Sequence, residues 1–350
     1  MKATLGGTLQ TAEVGFRAAV SVAIPLVVLL AMHRLDLAAY AVFGSFTAIY
    51  GSNERYRVRI RSLLVAAFTM VLGIFLGVSV AALGRPLELM VPALLLLVVS
   101  GLLLGAVFQL HPPTPVFQTF GMLVCAQMPT TVEEAWPRIG VGAAVAVLSV
   151  LLGLSGWSIR WALRRWNAQH PGVQLLFKEL RREPVVDLAA LLDRRVWVSV
   201  AEYVLAVVAA GSLALAFGLG HTYWAIVTVV AVLPPPRAPQ TFARAWNRVV
   251  GTVGGLLLSG ALLFWSPDPA VVVAAIVLCE GLAQMLLTQR YWAALLFITP
   301  MALALSYFGG PVDLGGLLAD RIVETVLGAM MAMAVMLLVT AVTRRHARVG

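Results

Sequence analysis

One carboxylate, Glu280, lies deep inside an apolar stretch of the sequence, and Gln284 follows it by one helical turn on the same face. A carboxylate in the middle of a membrane costs several kcal/mol unless it is protonated, paired or hydrated. The pattern leaves two interpretations open. Glu280 takes part in proton coupling or substrate binding, or it is a neutral, hydrogen-bonded structural residue.

Two arginines, Arg138 and Arg321, occupy matching places in the segments WPRIGVGAAVAV and ADRIVETVLGAM. Guanidinium groups at the outer rim of a membrane pathway suit the recognition of carboxylates. Glu324 follows Arg321 by one turn, and we expect it to form a structural ion pair with Arg321 or Arg138.

Basic residues also cluster at the predicted inner ends of two apolar segments. Such residues meet anionic lipid headgroups in many membrane proteins. They can equally raise the local concentration of an anionic solute. The residues concerned are Arg57, Arg59, Arg61, Arg244 and Arg248.

Glycines spaced four apart, Gly73/Gly77 and Gly251/Gly255, lie in two further apolar segments. Small residues at this spacing let helix backbones approach closely, so we expect helix packing here and not a ligand site. The sequence contains no phosphate-binding loop of the GxxxxGK[ST] type, and its five histidines show no metal-ligand spacing. We therefore expect no enzyme, no cofactor and no metal site.

The composition excludes an ordinary soluble enzyme. Of the 350 residues, 61% are hydrophobic and 12% are charged, whereas about a quarter of the residues are charged in soluble proteins. The mean hydropathy is +0.92. The net charge of +9 is explained by basic cytoplasmic loops, without a nucleic-acid partner. An all-α membrane protein with about 12 transmembrane helices is expected, since each crossing takes about 20 residues.

The apolar segments form two sets of six. The first set is 15–32, 38–51, 62–83, 89–108, 115–128 and 138–159, and the second is 196–218, 222–233, 249–265, 270–288, 291–308 and 321–341. An inside N-terminus places all but four of the 25 Lys and Arg residues on the cytoplasmic side. The exceptions are Arg34, Arg85, Arg138 and Arg321. By the positive-inside rule, both termini are predicted to be cytoplasmic.

The two halves resemble each other. AAYAVFGSFTAIYG in the first half and HTYWAIVTVVAVLPPP in the second are each followed by a basic loop and a glycine-bearing apolar segment. This predicts two parallel six-helix repeats, 1–160 and 196–350, related by a pseudo-two-fold axis along the membrane normal. Between them, 161–195 is predicted to be a cytoplasmic linker of short amphipathic helices on the inner leaflet.

Some apolar segments are short for a bilayer, namely the second of each set and the fifth of the first set, which follows HPPTP. Short or interrupted segments at corresponding places of two repeats are typical of a transport site. The alternative is a tilted or merely short helix packed inside the bundle.

The second half resembles the fusaric-acid-resistance family of bacterial membrane transporters, and the first half resembles it more loosely. The residues that carry the resemblance are Tyr223, Trp224, Ala225, Pro234, Arg248, Gly251, Thr252, Gly255, Arg321 and Gly328, with Tyr40, Ala41, Arg61 and Gly73 in the first half. The resemblance implies efflux of aromatic or other organic acids across the bacterial inner membrane. It also implies a distant similarity to the aluminium-activated malate transporters, which are anion channels. Unlike many members, the chain has no large cytoplasmic domain between its halves.

We therefore expect a permease that exports organic anions, in particular aromatic carboxylates, through a pathway between the repeats. An anion channel for small inorganic or dicarboxylate anions and a non-transport membrane scaffold are the alternatives. The expected pathway residues are Tyr40, Arg61, Arg138, Tyr223, Trp224, Arg248, Glu280, Gln284 and Arg321. The expected partners are the lipid bilayer, small organic anions, and a second copy of the chain or an efflux partner protein.

Overall fold

The computed structural model describes residues 2–52, 54–166, 182–238, 242–265, 267–287, 289–308 and 314–349, and their side chains except at 2–11, 156–166, 314 and 343–349. These ranges contain twelve α-helices and no strand. The helices are α1 (Lys2–Ala31), α2 (Ala38–Ser45), α3 (Tyr56–Ala82), α4 (Leu87–Val107), α5 (Val116–Gln127), α6 (Val132–Trp166), α7 (Arg194–Ala216), α8 (Tyr223–Val232), α9 (Ala243–Leu263), α10 (Pro269–Leu286), α11 (Tyr291–Tyr307) and α12 (Leu314–Val349).

Seven of these helices are long and apolar enough to cross a membrane, namely α1, α3, α4, α6, α7, α10 and α12. The expected all-α, multi-pass membrane protein is confirmed. The expected number of about 12 crossings stays a prediction. Four apolar segments are shorter, and they contain α2, α5, α8 and α11. The short lengths predicted for α2, α5 and α8 are thus confirmed.

The two shortest helices, α2 and α8, lie in the centre of the bundle. Every residue of α2 and every residue of α8 is buried. Both helices consist mainly of Ala, Val and aromatic residues, so neither has the polar face that a surface helix needs. The long helices that surround them bury only about a third to a half of their apolar windows.

The same packing arrangement occurs twice among the described helices. In the first half α3 packs against α5 and α2 packs against α6, while in the second half α9 packs against α11 and α8 packs against α12. Contacts between the halves are also reciprocal, since α1 packs on α10 and α4 packs on α7.

Glycines set the close approach of α3 to α5 and of α9 to α11. A Cβ atom added to Gly73 would lie 2.8 Å from the carbonyl oxygen of Gln118, and one added to Gly255 would lie 2.6 Å from Cβ of Thr299. Gly77 and Gly251 face the same neighbouring helices just as closely. Any larger side chain at these positions would push the helices apart.

The linker differs from the amphipathic helices expected at 161–195. Helix α6 continues to Trp166, so the expected boundary at 160 falls inside it. The apolar segment after Pro184 forms a short 3-10 helix, Leu188–Leu192, and does not form an α-helix. It stops there because Asp193 caps α7 by accepting a hydrogen bond from the backbone N–H of Arg195, at 2.8 Å. The other expected linker helix, VQLLFKELRR, lies outside the described residues except for Arg182.

The described linker residues, 182–193, bind loops of both halves, and we call them the linker clasp. Arg182 donates to Oε1 of the buried Glu54 at 3.0 Å and to the carbonyl oxygen of Gln109 at 2.5 Å. In the second half, Arg237 donates to Asp193 at 2.7 Å and to Asp187 at 3.1 Å. Glu54 and Arg237 follow the short helices α2 and α8, so the clasp connects the loops after these two helices.

Candidate functional site

The most deeply buried cation that faces an aromatic ring is Arg321 of α12, which is 1% exposed. Its guanidinium carbon lies 3.4 Å from the ring centre of Trp224, at the start of α8, and Trp224 is fully buried. The distance is that of a stacked cation–π pair, which a desolvated setting strengthens. The packing of α8 against α12 brings the two residues together.

Three further polar side chains act on Arg321. Arg248 from α9, Tyr223 from α8 and Glu324 from α12 all lie within electrostatic range of its guanidinium. We call these three residues, together with Arg321 and Trp224, the Arg321 cluster. It unites four residues that the sequence predicted for the pathway, namely Tyr223, Trp224, Arg248 and Arg321.

Several polar atoms of the cluster have no hydrogen-bond partner among the described residues. They are Nε and Nη1 of Arg321, Nε of Arg248, Nε1 of Trp224 and Oε2 of Glu324. The three helices of the cluster also bury unpaired hydroxyls at Thr228, Thr252 and Thr325, and the neighbouring helix α11 buries one at Thr299. Buried polar groups are paired in the great majority of cases. The first half also buries unpaired polar atoms, for example in Arg17, Thr47 and Ser149. The Arg321 cluster is distinguished by an unpaired guanidinium that lies against an aromatic ring, where a ligand or water would supply the missing bonds.

An aromatic chain leads from the Arg321 cluster into the first half of the molecule. The Trp224 ring lies 5.2 Å from that of Phe120 on α5, and Phe120 lies 5.0 Å from Phe43 on α2. Phe43 in turn packs edge-on against Phe46, at 5.6 Å. Trp224 thus lies where the two halves meet.

The matching arginine of the first half, Arg138, has a different environment. It donates to the hydroxyl of Tyr40 at 2.9 Å, to Thr130 at 2.7 Å and to Glu134 at 2.9 Å. It also donates to the carbonyl oxygen of Pro129. Arg138 and Tyr40 therefore come together in a hydrogen-bonded network, whereas two guanidinium nitrogens of Arg321, Nε and Nη1, have no partner among the described residues.

The remaining predicted pathway residues lie apart from the Arg321 cluster. Glu280 is buried and accepts a hydrogen bond from Gln284, its neighbour on α10, at 3.0 Å. Arg61 donates to the carbonyl oxygen of Pro184 at 2.6 Å, so it belongs to the contacts of the linker clasp.

The structure contains a groove of about 260 Å³ between α7 and α12, with mainly apolar walls. Arg194 and Glu202 are its charged lining residues. None of the predicted pathway residues lines this groove. Outside the membrane-spanning segments, the backbone N–H of Arg195 and the guanidinium of Arg237 hold the pKa of Asp193 below its ordinary value.

The sequence analysis named Thr252 only as part of the family resemblance and missed Thr228, Thr299 and Thr325, although Thr228 stands out as a polar residue in an apolar segment. It also expected Glu324 to form an ion pair. No ion pair within 4.0 Å joins Glu324 to an arginine in the described parts of the chain, and its Oε1 instead accepts the backbone N–H of His221 at 3.0 Å.

Comparison with known proteins supports the family resemblance. Residues 206–335 match the family model described as fusaric acid resistance protein-like. The second half of the chain is therefore similar to that family over these residues. The match includes the whole Arg321 cluster and ends before the last turns of α12. The expected similarity to the aluminium-activated malate transporters stays a prediction.

Three curated relatives match parts of the chain. The Bacillus subtilis membrane protein YvaC is 31% identical over 134 residues, which are 38% of this chain and 21% of YvaC. An uncharacterized Synechocystis protein is 31% identical over 113 residues, or 32% of this chain and 15% of its own length. An uncharacterized Neisseria gonorrhoeae protein is 28% identical over 130 residues, or 37% of this chain and 31% of its own length.

The chain thus spans less than a third of the length of the curated relatives it matches. No solved structure matches it. The fusaric acid resistance protein-like region and the apolar helices together indicate a multi-pass membrane protein.

Proposed function

We propose that the protein is a permease of the bacterial inner membrane that exports organic anions, aromatic carboxylates in particular, along a route between its two halves. One observation carries the proposal. Arg321 is buried beside Trp224 with Nε and Nη1 unpaired, so two donor nitrogens of its guanidinium are available inside the bundle. Charge-assisted hydrogen bonds from a guanidinium to a carboxylate are among the strongest in proteins.

The aromatic surroundings favour a substrate that carries a ring. A carboxylate bound by Arg321 would place its ring against Trp224 and Phe120, whose own ring centres lie 5.2 Å apart. Aromatic pairs at such distances contribute about 0.5–1.5 kcal/mol beyond their buried area. A buried hydroxyl, such as that of Thr228 or Thr325, would offer a second polar contact.

In this proposal the molecule consists of two parallel six-helix repeats, 1–160 and 196–350, with the linker 161–195 between them. The recurrent packing of α3 with α5 and of α9 with α11 supports this layout, as do the reciprocal contacts between the halves. Both termini are then cytoplasmic. Tags at the two ends would test this, because tags on opposite sides of the membrane would contradict it.

The membrane potential supplies a driving force for export. With the inside negative, the exit of one anion is favoured by about 2.3 kcal/mol per 100 mV. Arg61 and its basic neighbours on the cytoplasmic side would raise the local concentration of the anion before it enters.

The experiment measures uptake of radiolabelled benzoate by proteoliposomes containing the full chain, with protein-free vesicles as the background. Arg321→Gln should lower the initial rate roughly ten- to a hundredfold, because a lost hydrogen bond to a charged group is worth about 1.5–3 kcal/mol. Arg85→Gln, which removes an exposed arginine bonded to the carbonyl oxygen of Gln127, is the matched control and should leave the rate unchanged.

Other results would favour the alternatives. A non-saturable current in planar bilayers would favour an anion channel. If the wild type takes up no more benzoate than protein-free vesicles, the proposal is overturned and a membrane scaffold is favoured. A folded Arg321→Gln variant with the wild-type rate would also overturn the proposal.

A further inference from the structure

The buried carboxylate of Glu324 accepts a hydrogen bond on one oxygen and none from the described residues on the other. It is fully buried on α12, one turn after Arg321. Its Oε1 accepts the backbone N–H of His221 at 3.0 Å, just before the first turn of α8. Its Oε2 has no hydrogen-bond partner among the residues that the structure describes.

The charges that face Glu324 come from three helices. On α12 itself, Asp320 and Arg321 act on it. The segment that leads into α8 contributes His221, and α8 contributes Tyr223. Helix α9 contributes Arg248, which acts on the same guanidinium.

Helix α7 also packs on α12, but its titratable residues lie elsewhere. Glu202 of α7 lines the groove with Leu338 and Val342 of α12, and Tyr203 is its neighbour in the sequence. Leu338 follows Glu324 by about four helical turns, or roughly 20 Å.

The balance of charge changes when an anion occupies Arg321. In the empty cluster the negative charge of Glu324 offsets part of the positive charge of Arg321 and Arg248. A bound carboxylate would place a second negative charge beside Glu324 in a site without bulk water. Two neighbouring carboxylates resist joint ionisation, so one of them takes up a proton.

We propose that Glu324 binds one proton, on Oε2, whenever an organic anion binds Arg321. The inference rests on the proposed function and concerns the binding step alone: the proton returns to the cytoplasmic side when the anion leaves, so the membrane potential still acts on the anion. One anion and one proton enter the cluster together, so the total charge of the loaded cluster equals that of the empty one. Because linkage is reciprocal, a proton on Glu324 strengthens anion binding by the same factor.

Neither of the other nearby acids suits this role. Asp320 lies 2.8 Å from Nδ1 of His221 and its side chain is 29% exposed, so its charge is paired and partly hydrated. Glu280 lies on a different helix, α10, and its Oε1 accepts a hydrogen bond from Nε2 of Gln284.

The experiment measures benzoate binding to the detergent-solubilised full chain by calorimetry at pH 6, 7 and 8, in two buffers with different ionisation enthalpies. Benzoate is ionised throughout this range, so any proton taken up must bind the protein. We expect the wild-type affinity to fall up to tenfold per pH unit as the pH rises, with close to one proton taken up per benzoate bound. Glu324→Gln should bind benzoate with an affinity independent of pH and without proton uptake.

Asp36→Asn, which changes an exposed acid paired with Arg34, is the matched control and should keep the pH dependence of the wild type. Wild-type binding without proton uptake would overturn the role of Glu324 and leave the proposed function standing. A Glu324→Gln variant that still takes up a proton would also overturn it. Absence of any benzoate binding by the folded wild type would overturn the proposed function and this inference together.

Discussion

The guanidinium of Arg321 stacks on the indole ring of Trp224, with 3.4 Å between the guanidinium carbon and the ring centre. The stack occupies one face of the guanidinium and leaves its edge, with Nε and Nη1, unpaired. A flat aromatic face thus orients the cation without consuming its hydrogen-bond donors.

Replacement of Trp224 tests this orientation. Trp224→Leu should lower benzoate uptake about tenfold or more, because a desolvated cation–π pair contributes about 2 kcal/mol. Trp224→Phe keeps an aromatic face and should retain most of the rate. Uptake is measured in proteoliposomes at equal amounts of folded protein. Trp246→Leu, on a 70% exposed side chain of α9, is the control and should behave like the wild type.

Gly73 holds α3 against α5, and we expect Gly73→Ala to destabilise the protein. The new Cβ would lie 2.8 Å from a backbone carbonyl oxygen, which cannot move away without shifting α5. Overpacking of this kind costs about 1–3 kcal/mol. Gly140→Ala in α6 is the matched control, since its Cβ would meet nothing within 4 Å. Equal thermal unfolding midpoints of the two variants would contradict the expected packing role of Gly73.

The buried pair of Glu54 and Arg182 should contribute to stability. The Glu54 side chain is 1% exposed, so Arg182→Gln leaves a buried carboxylate without its cation. We expect a loss of about 1–3 kcal/mol in the free energy of unfolding, less than for a fully buried pair because Arg182 is 33% exposed. The double variant Glu54→Gln/Arg182→Gln should lose less than the sum of the two single variants.

An exposed ion pair of the same clasp provides the comparison. Arg55 pairs with Glu183, and both side chains are at least half exposed. Arg55→Gln should therefore change the free energy of unfolding by less than about 1 kcal/mol. If the stability losses of the single variants at Glu54 and Arg182 add up to the loss of the double variant, the contact between these residues contributes nothing to the free energy of unfolding.

The contact between Asp193 and Arg237 should make stability depend on pH. The folded pKa of Asp193 lies below its ordinary value, because the N–H of Arg195 and the guanidinium of Arg237 favour the charged form. The resulting stabilisation is complete above the pKa of the unfolded chain and is lost as the pH falls through the lower folded pKa.

The measurement is the thermal unfolding midpoint between pH 7 and pH 3. Arg237→Gln should lie below the wild type at pH 7 and approach it at the acidic end of the range. Because Arg237 also binds Asp187, the effect of Arg237→Gln should no longer vary with pH over this range in an Asp187→Asn/Asp193→Asn background. If the unfolding midpoints of wild type and Arg237→Gln differ by the same amount at all pH values, the contact between Asp193 and Arg237 is not the cause of the pH dependence.

Much of the helical framework can be predicted from the sequence, because apolar length and glycine spacing are local properties. The short helices α5 and α8 follow directly from Pro115, Pro234 and their neighbours, which end the apolar pattern. The linker was predicted less well. Apolar spacing alone predicted a helix after Pro184, and it did not account for the competing cap at Asp193.

The difference between Arg138 and Arg321 arises from their neighbours along the helix. Glu134 precedes Arg138 by one turn and pairs with it. The corresponding place before Arg321 is Leu317, which is buried and apolar. Alignment of the two halves treats the arginines as equivalent, so it hides this difference. The stacking on Trp224 depends on the packing of α8 against α12, which local sequence does not specify.

The complete enclosure of α2 and α8 has a consequence for how the molecule meets lipids of different chain length. Because α2 and α8 are buried, acyl chains are expected to contact the helices around them, and long helices can tilt to match a thicker or thinner bilayer. The two central helices, of 8 and 10 residues, are shielded from that mismatch by protein on all sides. The polar groups at the first turn of α8 therefore keep their spacing while the surrounding helices change their tilt.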